Sequence, residues 1–426
     1  MSTYAEIRRG LATAEAGRQL AMLYGNRNGE TERQRKRYLA QAERHEAAFG
    51  AADGVTLISA PGRTEIGGNH TDHNHGCVLA AAVNLDTLAA VSPRGDMTVR
   101  LHSEGYPPLT LDLSDTSARP EETGTTAALI RGVADGFVRR GMRIGGFDAA
   151  VSSTVAAGSG LSSSAAFEVL AAAILDRLYN GDALDFVTRA KIGQYAENVH
   201  FGKPSGLLDQ MASAAGGLVT VDFGTAEPQV RSLSYDFGAK GYVLAVVATG
   251  GSHADLTGDY AAIPAEMKAV AAHFGKTVLR EVPEEDFRAE LPAIRAKAGD
   301  RAVLRAMHFY AENARVARQV DALQRDDLDA FFDAIIASGR SSFMYLQNVW
   351  ARPQEQSLSV ALALAEDMLA GRGAWRVHGG GFAGTTLNFV PEDLLPRFEN
   401  TMERTFGAGS CHVLGIRPVG ACALEL

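Results

Sequence analysis

Four side chains with ligand or acid–base chemistry are concentrated in one short stretch, GRTEIGGNHTDHNHG, at residues 62–76. His70, Asp72, His73 and His75 fall within six positions of it. Such a density of imidazole and carboxylate groups is compatible with a metal site, a catalytic pocket or a polar loop. The spacing matches no HExxH or His/Cys ligand pattern, and neighbouring residues on an extended segment point in opposite directions. A metal site is therefore disfavoured.

A Gly/Ser-rich loop leads into an apolar, helix-like segment in AAGSGLSSSAAFEVLAAAIL, Ala156 to Leu175. Glycines let the backbone approach a ligand closely, and the free N–H groups at the positive end of a helix dipole suit a phosphate. Because no Lys follows the glycines, this is not a Walker A loop. The three serines add hydroxyls for phosphate oxygens or for Mg²⁺. The alternative is a simple turn with an N-cap serine.

A second glycine run, VHGGGFAGTT, spans Val377 to Thr386 between apolar segments. Three glycines often mark only a tight turn or a close backbone crossing. In a chain that also has a phosphate loop, this run can instead close over the bound ligand.

The elements that must position these loops predict an α/β protein. Residues 1–50 have apolar residues at helical intervals and predict two helices broken near GNRNGE. Short apolar runs predict strands at VTLIS, VLAAAVNLDTLAAV, MTVRLHS, LTLDL, GFDAAVSSTV and YVLAVVAT. Helices are expected at AAFEVLAAAILDRL, at DFVTRAKIGQYAENVHFG, in the first part of SGLLDQMASAAGGLVTVDF and in long stretches around residues 258–275 and 301–370.

Length and charge restrict the class of protein. The 426 residues suffice for two domains or one large α/β unit, and no apolar run approaches the roughly 20 residues of a membrane span. The net charge of -9 disfavours a nucleic-acid partner. The three cysteines have no CxxC spacing, and the N-terminus has no signal-like apolar region. We expect a soluble, cytoplasmic protein, monomeric or weakly oligomeric, that binds small molecules.

With these stretches in this order, the chain resembles the galactokinase branch of the GHMP small-molecule kinases from about residue 45 onward. GRTEIGGNHTDHNHG is similar to the branch signature Gly-Arg-Val-Asn-Leu-Ile-Gly-Glu-His-Thr-Asp-Tyr. GSGLSSSA is similar to the nucleotide loop of the family and GGGFAG to its third motif. ENVHFGKPSGLLDQ and ENARV are similar to a Glu-Asn and Asp-Gln segment and to a later helix of the family.

The resemblance implies a two-domain α/β fold with ATP and a sugar in the cleft between the domains. It divides the chain into an N-terminal helical extension (1–45), an N-terminal kinase domain (46–225) and a C-terminal kinase domain (226–426). Position by position, it implies that Arg63 and Asp209 are the catalytic pair and that Ser164 and Glu197 are the Mg²⁺ ligands. The implied triphosphate loop comprises Gly158, Ser159, Gly160, Leu161, Ser162, Ser163 and Ser164. The implied sugar pocket comprises Asn69, His70, Asp72, Gly206, Asp209 and Tyr260.

The implied activity is ATP-dependent phosphorylation of galactose at its anomeric hydroxyl, which gives galactose 1-phosphate. Asp209 can accept the hydroxyl proton or orient the hydroxyl, and Arg63 can keep that carboxylate ionised and stabilise the developing charge. Taken singly, these residues have ordinary alternatives: an Asp at a helix start is often an N-cap, an Arg after Pro-Gly is often a solvated turn residue, and Glu197 can be a surface charge.

Two of the departures from the branch signature touch the sugar side of the site. Asn69 stands where glutamate is usual, and His73 stands where tyrosine is usual. An amide can donate hydrogen bonds to a carboxylate at C6 of the sugar, which a glutamate would repel, so we hypothesise tolerance of galacturonate or another C6-modified galactose. The alternative is that Asn69 makes the same O6 contact without charge. Activity on N-acetylgalactosamine and a non-catalytic, sugar-sensing role also stay open.

Overall fold

The computed structural model describes residues 3–155, 160–203, 205–225, 227–251, 256–382 and 384–426. Helices and strands are mixed along the chain, and the strands of the described residues form two sheets. The predicted α/β class is confirmed.

The helices, in chain order, are α1 (Tyr4–Leu11), α2 (Ala14–Tyr24), α3 (Glu30–Phe49), α4 (Thr126–Val138), α5 (Ser163–Tyr179), α6 (Phe186–Tyr195), α7 (Leu208–Ala215), α8 (Thr257–His273), α9 (Glu284–Ala289), α10 (Leu291–Ala298), α11 (Asp300–Gln324), α12 (Leu328–Ser341), α13 (Ser357–Leu369) and α14 (Leu395–Phe406). Two π-helical turns follow α6 and α12, at Ala196–Phe201 and Ser342–Leu346.

The strands are β1 (Thr56–Gly67), β2 (Cys77–Pro93), β3 (Thr98–Ser103), β4 (Leu109–Asp112), β5 (Phe147–Ser153), β6 (Leu218–Asp222), β7 (Gln229–Leu233), β8 (Tyr242–Ala248), β9 (Ala374–His378), β10 (Thr385–Pro391), β11 (Cys411–Leu414) and β12 (Cys422–Ala423).

The first sheet has the order β12-β1-β2-β5-β3-β4, and β6 and β7 extend it from the start of β2. Along β1 the side chains alternate between two apolar layers, as the period of two along a strand requires. Ile58 and Ala60 pack in the core that also contains residues of α4 to α7, whereas Leu57 packs against the N-terminal helices. Both faces of this sheet are therefore covered.

The second sheet has the order β11-β8-β10-β9 and is antiparallel throughout. A separate apolar core joins it to the first sheet and to α11 and α12. Ile66 and Leu79 of the first sheet pack there with Phe331 of α12 and with Leu387 and Phe389 of β10. This core holds the two sheets against each other, so residues far apart in the chain meet between them.

The N-terminal region differs from the sequence prediction. The expected break lies at a 3₁₀ turn, Arg27–Gly29, but residues 3–50 form three helices rather than two. The additional break lies before Thr13, whose Oγ1 accepts a hydrogen bond from Ala16 N at 3.2 Å and donates one to Gly10 O at 2.7 Å. This N-cap begins a new helix where the apolar spacing alone suggested continuity.

The signature stretch is only partly a loop. Its first six residues, 62–67, complete β1, and the connection to β2 contains one 3₁₀ turn, Asp72–Asn74. The strand pairing shifts register between Pro61 and Arg63 and again between Glu65 and Gly67. Such irregularities re-aim side chains, and the first of them lies directly before Arg63.

The predicted domain boundaries stay predictions, and both sheets bear on them. The strand β7, beyond residue 225, pairs with β6 of the first sheet. The strand β12, from the far end of the chain, pairs with β1. In the part of the chain that the structure describes, no helix combines the length and apolar character that crossing a membrane requires.

Candidate active site

An ion pair between Arg63 and Asp209 lies at the centre of the candidate site. Arg63 Nε is 2.7 Å from Asp209 Oδ1, and Nη2 is 2.8 Å from Oδ2. Such a bidentate pair fixes the relative orientation of both groups. The arginine side chain is 11% exposed and the aspartate 32%, so the carboxylate is the member that a ligand can reach.

The elements around this pair explain why it forms. Arg63 follows the register shift in β1, and its backbone N–H donates to Leu161 O at 3.0 Å. A Cβ at Gly62 would lie 2.9 Å from the same carbonyl oxygen, so a glycine there lets the loop approach the strand. Asp209 lies in the first turn of α7, whose N-cap is Leu207, so the aspartate is not the cap of its helix.

The carboxylate of Asp209 is held in its ionised form. Burial alone would raise its pKa, but the charge of Arg63 and the hydrogen bonds from Arg63 and Ser162 outweigh burial and leave the pKa below its ordinary value. An ionised carboxylate that is partly open to solvent can accept a proton or a hydrogen bond from a hydroxyl group. The pair is therefore suited to orient and activate an alcohol.

The described part of the predicted phosphate loop, residues 160–164, contacts this pair directly. Arg63 Nη1 donates to Gly160 O, and Ser162 Oγ donates to Asp209 Oδ2 at 2.7 Å. Ser162 is the N-cap of α5 by position but makes no side-chain capping bond, so its hydroxyl serves Asp209 instead. Leu161 is buried, and Ser163 opens α5. Gly158 and Ser159 lie outside the described residues.

The two candidate metal ligands, Ser164 and Glu197, meet beside the start of α5. Ser164 Oγ is 3.3 Å from Glu197 Oε1, and the glutamate side chain is only 3% exposed. A hydroxyl and a carboxylate are the hard oxygen donors that Mg²⁺ prefers when phosphates and water complete its coordination. Glu168 Oε1, buried one helical turn after Ser164, has no hydrogen-bond partner among the described residues. This donor set fits a magnesium ion that is bound together with a nucleotide.

Several of the predicted sugar residues contact one another or the second glycine run. Asp72 faces Gly206, where an added Cβ would lie 2.2 Å from Asp72 Oδ2. The ring of His70 contacts Gly380 O through Nε2 at 3.1 Å, and Tyr260 OH donates to Gly381 O at 3.0 Å. The second glycine run therefore holds two of these side chains through its carbonyl groups.

Burial lowers the pKa of His70 to about 4, so the imidazole is neutral at pH 7. Because its Nε2 faces a carbonyl oxygen, that nitrogen carries the proton and Nδ1 is left as an acceptor. A neutral histidine in this tautomer can accept a hydrogen bond from a sugar hydroxyl.

Asn69 is fully buried, and its amide is bonded to protein groups on every side. Its Nδ2 donates to Glu65 Oε1 at 3.0 Å and to Gly379 O at 2.7 Å. Its Oδ1 accepts hydrogen bonds from Ser342 Oγ at 3.1 Å and Asn348 Nδ2 at 2.8 Å. Both donor hydrogens are thus used within the protein, and the side chain anchors the loop.

The histidine-rich turn does not gather ligands around one point. Among the described residues, no group of three or more His, Cys, Asp or Glu side chains is arranged to hold a metal ion. His73 is exposed, and its Nε2 lies 3.8 Å from Asp72 Oδ1. His75 is exposed and has a left-handed backbone with φ of 61° at the end of the 3₁₀ turn.

Several residues that hold the site together were not predicted from the sequence. Glu65 stands where the signature has asparagine; it is buried and pairs with Arg376 at 2.8 Å. Gln210, directly after Asp209, donates to both Glu168 and Glu197 at 2.9 Å. The departure at residue 65 was readable in the signature, whereas the bridging role of Gln210 depends on contacts between distant segments.

Comparison with known proteins finds relatives that match most of this chain. The family model described as "Galactokinase galactose-binding signature" matches residues 43–93, and "GHMP kinases N terminal domain" matches residues 128–217. A galactokinase of Streptomyces coelicolor is 34% identical over 370 residues, which is 86% of this chain and 92% of that protein.

Solved structures show the same fold. The crystal structure of Lactococcus lactis galactokinase complexed with galactose matches with a TM-score of 0.77 and 24% identity, covering 89% of this chain and 98% of that one. The mevalonate kinase of Methanococcus jannaschii matches with a TM-score of 0.61 and 14% identity, covering 84% and 98%. Since the Streptomyces relative is this similar over most of both chains, the protein belongs to the galactokinase family of the GHMP kinases.

Proposed function

We propose that this galactokinase-family enzyme transfers the γ-phosphoryl group of ATP to the anomeric hydroxyl of galactose, which gives galactose 1-phosphate and ADP. The observation that carries the proposal is the bidentate Arg63–Asp209 pair, which contacts the predicted phosphate loop on one side and has Asp72 near enough on the other for its charge to act on Arg63. A phosphate donor and a sugar hydroxyl placed at those two sides meet at the carboxylate.

The chemistry of the step follows from the pair. The anomeric oxygen forms a bond to the γ-phosphorus, the bond to the β,γ-bridging oxygen breaks, and the hydroxyl proton passes to Asp209 or is held by it. Arg63 keeps Asp209 ionised before the step and offers positive charge beside the transferring group. Most of the rate enhancement in such a reaction comes from positioning and electrostatics.

Ser164 and Glu197 are the residues that would hold Mg²⁺, and the ion would supply positive charge for the phosphate oxygens. On the protein side, Gly160 and the serines of the loop would bind the triphosphate at the start of α5, with the backbone N–H groups of the helix as donors. Ser162 would meanwhile keep the carboxylate of Asp209 in place through its 2.7 Å hydrogen bond.

For the sugar, Asp72 would accept hydrogen bonds from neighbouring hydroxyls, and His70 would accept one at Nδ1. Tyr260 and Gly206 would complete the wall of this pocket. Because both amide hydrogens of Asn69 are bonded to Glu65 and Gly379, we propose that this residue supports the loop from beneath. To donate a hydrogen bond to a carboxylate at C6 of the sugar, the amide would have to break one of these two bonds.

Initial rates in an ADP-coupled assay with galactose, galacturonate and N-acetylgalactosamine test the activity and the sugar preference. We expect turnover with galactose and none above background with galacturonate. Release of ADP with galacturonate but not with galactose would overturn the sugar assignment, and binding of galactose without ADP release would favour a sensing role.

The variant Asp209→Asn tests the catalytic assignment. We expect kcat to fall by about 10²- to 10⁴-fold, because the amide cannot take the proton, with little change in the KM for galactose. The matched control is Asp222→Asn, a half-exposed aspartate paired with Arg280 at 2.9 Å away from this pair. A kcat for Asp209→Asn within threefold of the unsubstituted enzyme would refute the role of Asp209.

A further inference from the structure

A lysine, Lys203, lies beside the candidate metal site. Lys203 Nζ is 2.8 Å from Glu197 Oε1, the same oxygen that Ser164 Oγ approaches to 3.3 Å. The backbone N–H of Lys203 also donates to Glu197 O at 3.1 Å, after Gly202 ends the π-helical turn. The backbone of Lys203 is therefore held close to Glu197, whose carboxylate its ammonium neutralises.

The two side chains of this ion pair differ in solvent exposure and in how firmly they are held. The Glu197 side chain is 3% exposed and also accepts a hydrogen bond from Gln210 Nε2 at 2.9 Å, so it is held in place. The Lys203 side chain is 59% exposed. A lysine ammonium on a flexible four-carbon stem can leave such a position without disturbing the packing around it.

The negative charge at this point has a structural source. Gln210 Nε2 also donates to Glu168 Oε2 at 2.9 Å, so one amide bridges two buried carboxyl groups. Two carboxyl groups this close in the interior need a proton or a nearby cation to offset their charge. Lys203 supplies that cation from the solvent side, at the carboxylate oxygen nearest to Ser164.

We propose that Lys203 is the resident counter-ion of Glu197 in the nucleotide-free enzyme, and that a divalent cation must displace its ammonium to bind. This inference rests on the proposed function, because it assigns Ser164 and Glu197 to the metal. Because free Mg²⁺ competes poorly with a tethered ammonium, the metal binds together with the nucleotide and leaves with ADP. The displaced ammonium is then free beside the loop that binds the phosphates.

Titration of the nucleotide-free protein with Mn²⁺, followed by the electron paramagnetic resonance signal of the free ion, tests the competition directly. We expect Lys203→Met to bind Mn²⁺ about tenfold more tightly than the unsubstituted protein, because the competing charge is gone. Lys203→Arg keeps a cation and should bind Mn²⁺ no more tightly than the unsubstituted protein. Adding Glu197→Gln to Lys203→Met should abolish the gain.

The matched control is Lys191→Met, which removes a lysine of α6 that pairs with the exposed Glu227. Its Mn²⁺ affinity should equal that of the unsubstituted protein, and circular dichroism should show that every variant is folded. Equal Mn²⁺ affinity of Lys203→Met and the unsubstituted protein would overturn the inference. If the unsubstituted protein nevertheless phosphorylates galactose, the proposed function survives; if tighter Mn²⁺ binding is found without any sugar kinase activity, the proposed function alone fails.

Discussion

Gly206 shows how a single residue sets the shape of the proposed sugar pocket. Its α-carbon lies so close to Asp72 that any side chain would collide with the carboxylate. Asp72 in turn is half-buried, and its negative charge acts on Arg63. A glycine at residue 206 therefore leaves room for the carboxylate of Asp72, which is proposed to bind the sugar hydroxyls.

We predict that Gly206→Ala raises the KM for galactose about tenfold or more and leaves the KM for ATP nearly unchanged. The added Cβ would lie 2.2 Å from Asp72 Oδ2, so the carboxylate must move, and small misplacements at reacting sites cost large factors in rate. Steady-state kinetics with each substrate varied in turn measure the effect. Gly95→Ala is the control, because no described residue lies within 4 Å of its added Cβ. An equal rise in both KM values would contradict the assignment.

At the scale of elements, α11 holds the loop between β1 and β2 at both of its ends. Glu312 Oε1 accepts hydrogen bonds from Gly68 N at 3.0 Å and Asn69 N at 3.4 Å, where the loop begins. Asn313 Oδ1 accepts one from Cys77 N at 2.7 Å, where the loop ends. Adjacent residues of one helix thus fasten the backbone of the signature stretch to the second half of the molecule.

The charge on Glu312 should make this attachment pH-dependent. Burial alone would raise its pKa, but Arg315, His308, Arg376 and a hydrogen bond from Ser338 lower it from 4.5 to about 2. A carboxyl group whose pKa is lower in the folded protein contributes stability above its unfolded pKa, and the contribution is lost as the pH falls toward the folded pKa.

We predict that Glu312→Gln lowers the free energy of unfolding by about 3 kcal/mol at pH 7, because it leaves buried cations without their anion. The deficit should shrink by about 1 kcal/mol at pH 3.5, where the unfolded chain already holds the proton. Urea denaturation of both proteins at the two pH values measures this. Glu366→Gln is the control, since that side chain is 54% exposed. A deficit that is the same at both pH values would rule out the ionised form as its cause.

At the scale of the whole molecule, the N-terminal helices are joined to the first sheet by buried polar groups as well as by apolar packing. Asp86 in β2 is fully buried and pairs with Arg37 of α3 at 2.6 Å and with Arg417 at 3.3 Å. Tyr24 OH of α2 donates to the same carboxylate. The backbone of Asp86 also exchanges hydrogen bonds with Thr154, just before the phosphate loop. The extension is thereby connected to the segment that leads into the proposed phosphate loop.

We predict that Arg37→Leu lowers the free energy of unfolding by about 2 kcal/mol, because one partner of a buried carboxylate is lost while Arg417 remains. Urea unfolding followed by far-ultraviolet circular dichroism and by tryptophan fluorescence should shift to lower urea together, since the extension shares a core with the sheet. Arg18→Leu on α2 is the control, with a side chain that is 70% exposed. A circular dichroism transition that separates from the fluorescence transition would show that the extension unfolds by itself.

The amino-acid sequence by itself determined the α/β class, most of the strands, the helix after the serine-rich loop and the family. These features depend on local patterns: apolar periodicity, glycines before a helix, and motifs in a recognisable order. The family resemblance also implied that Arg63 and Asp209 act as a pair, although they lie 146 residues apart. Whether the two side chains touch could not be read from either motif alone.

Only the tertiary structure decided how the candidate residues divide their work. It showed that the Asn69 amide donates both of its hydrogens to Glu65 and Gly379. It also showed that Gln210 bridges Glu168 and Glu197, and that Lys203 pairs with Glu197. The physical reason is that a hydrogen bond between segments far apart in sequence requires the donor–acceptor distance to be correct to within a few tenths of an ångström. Only the packed cores of the two sheets set that distance. Residue types and spacing specify what chemistry is possible, and packing selects which groups are left free to perform it.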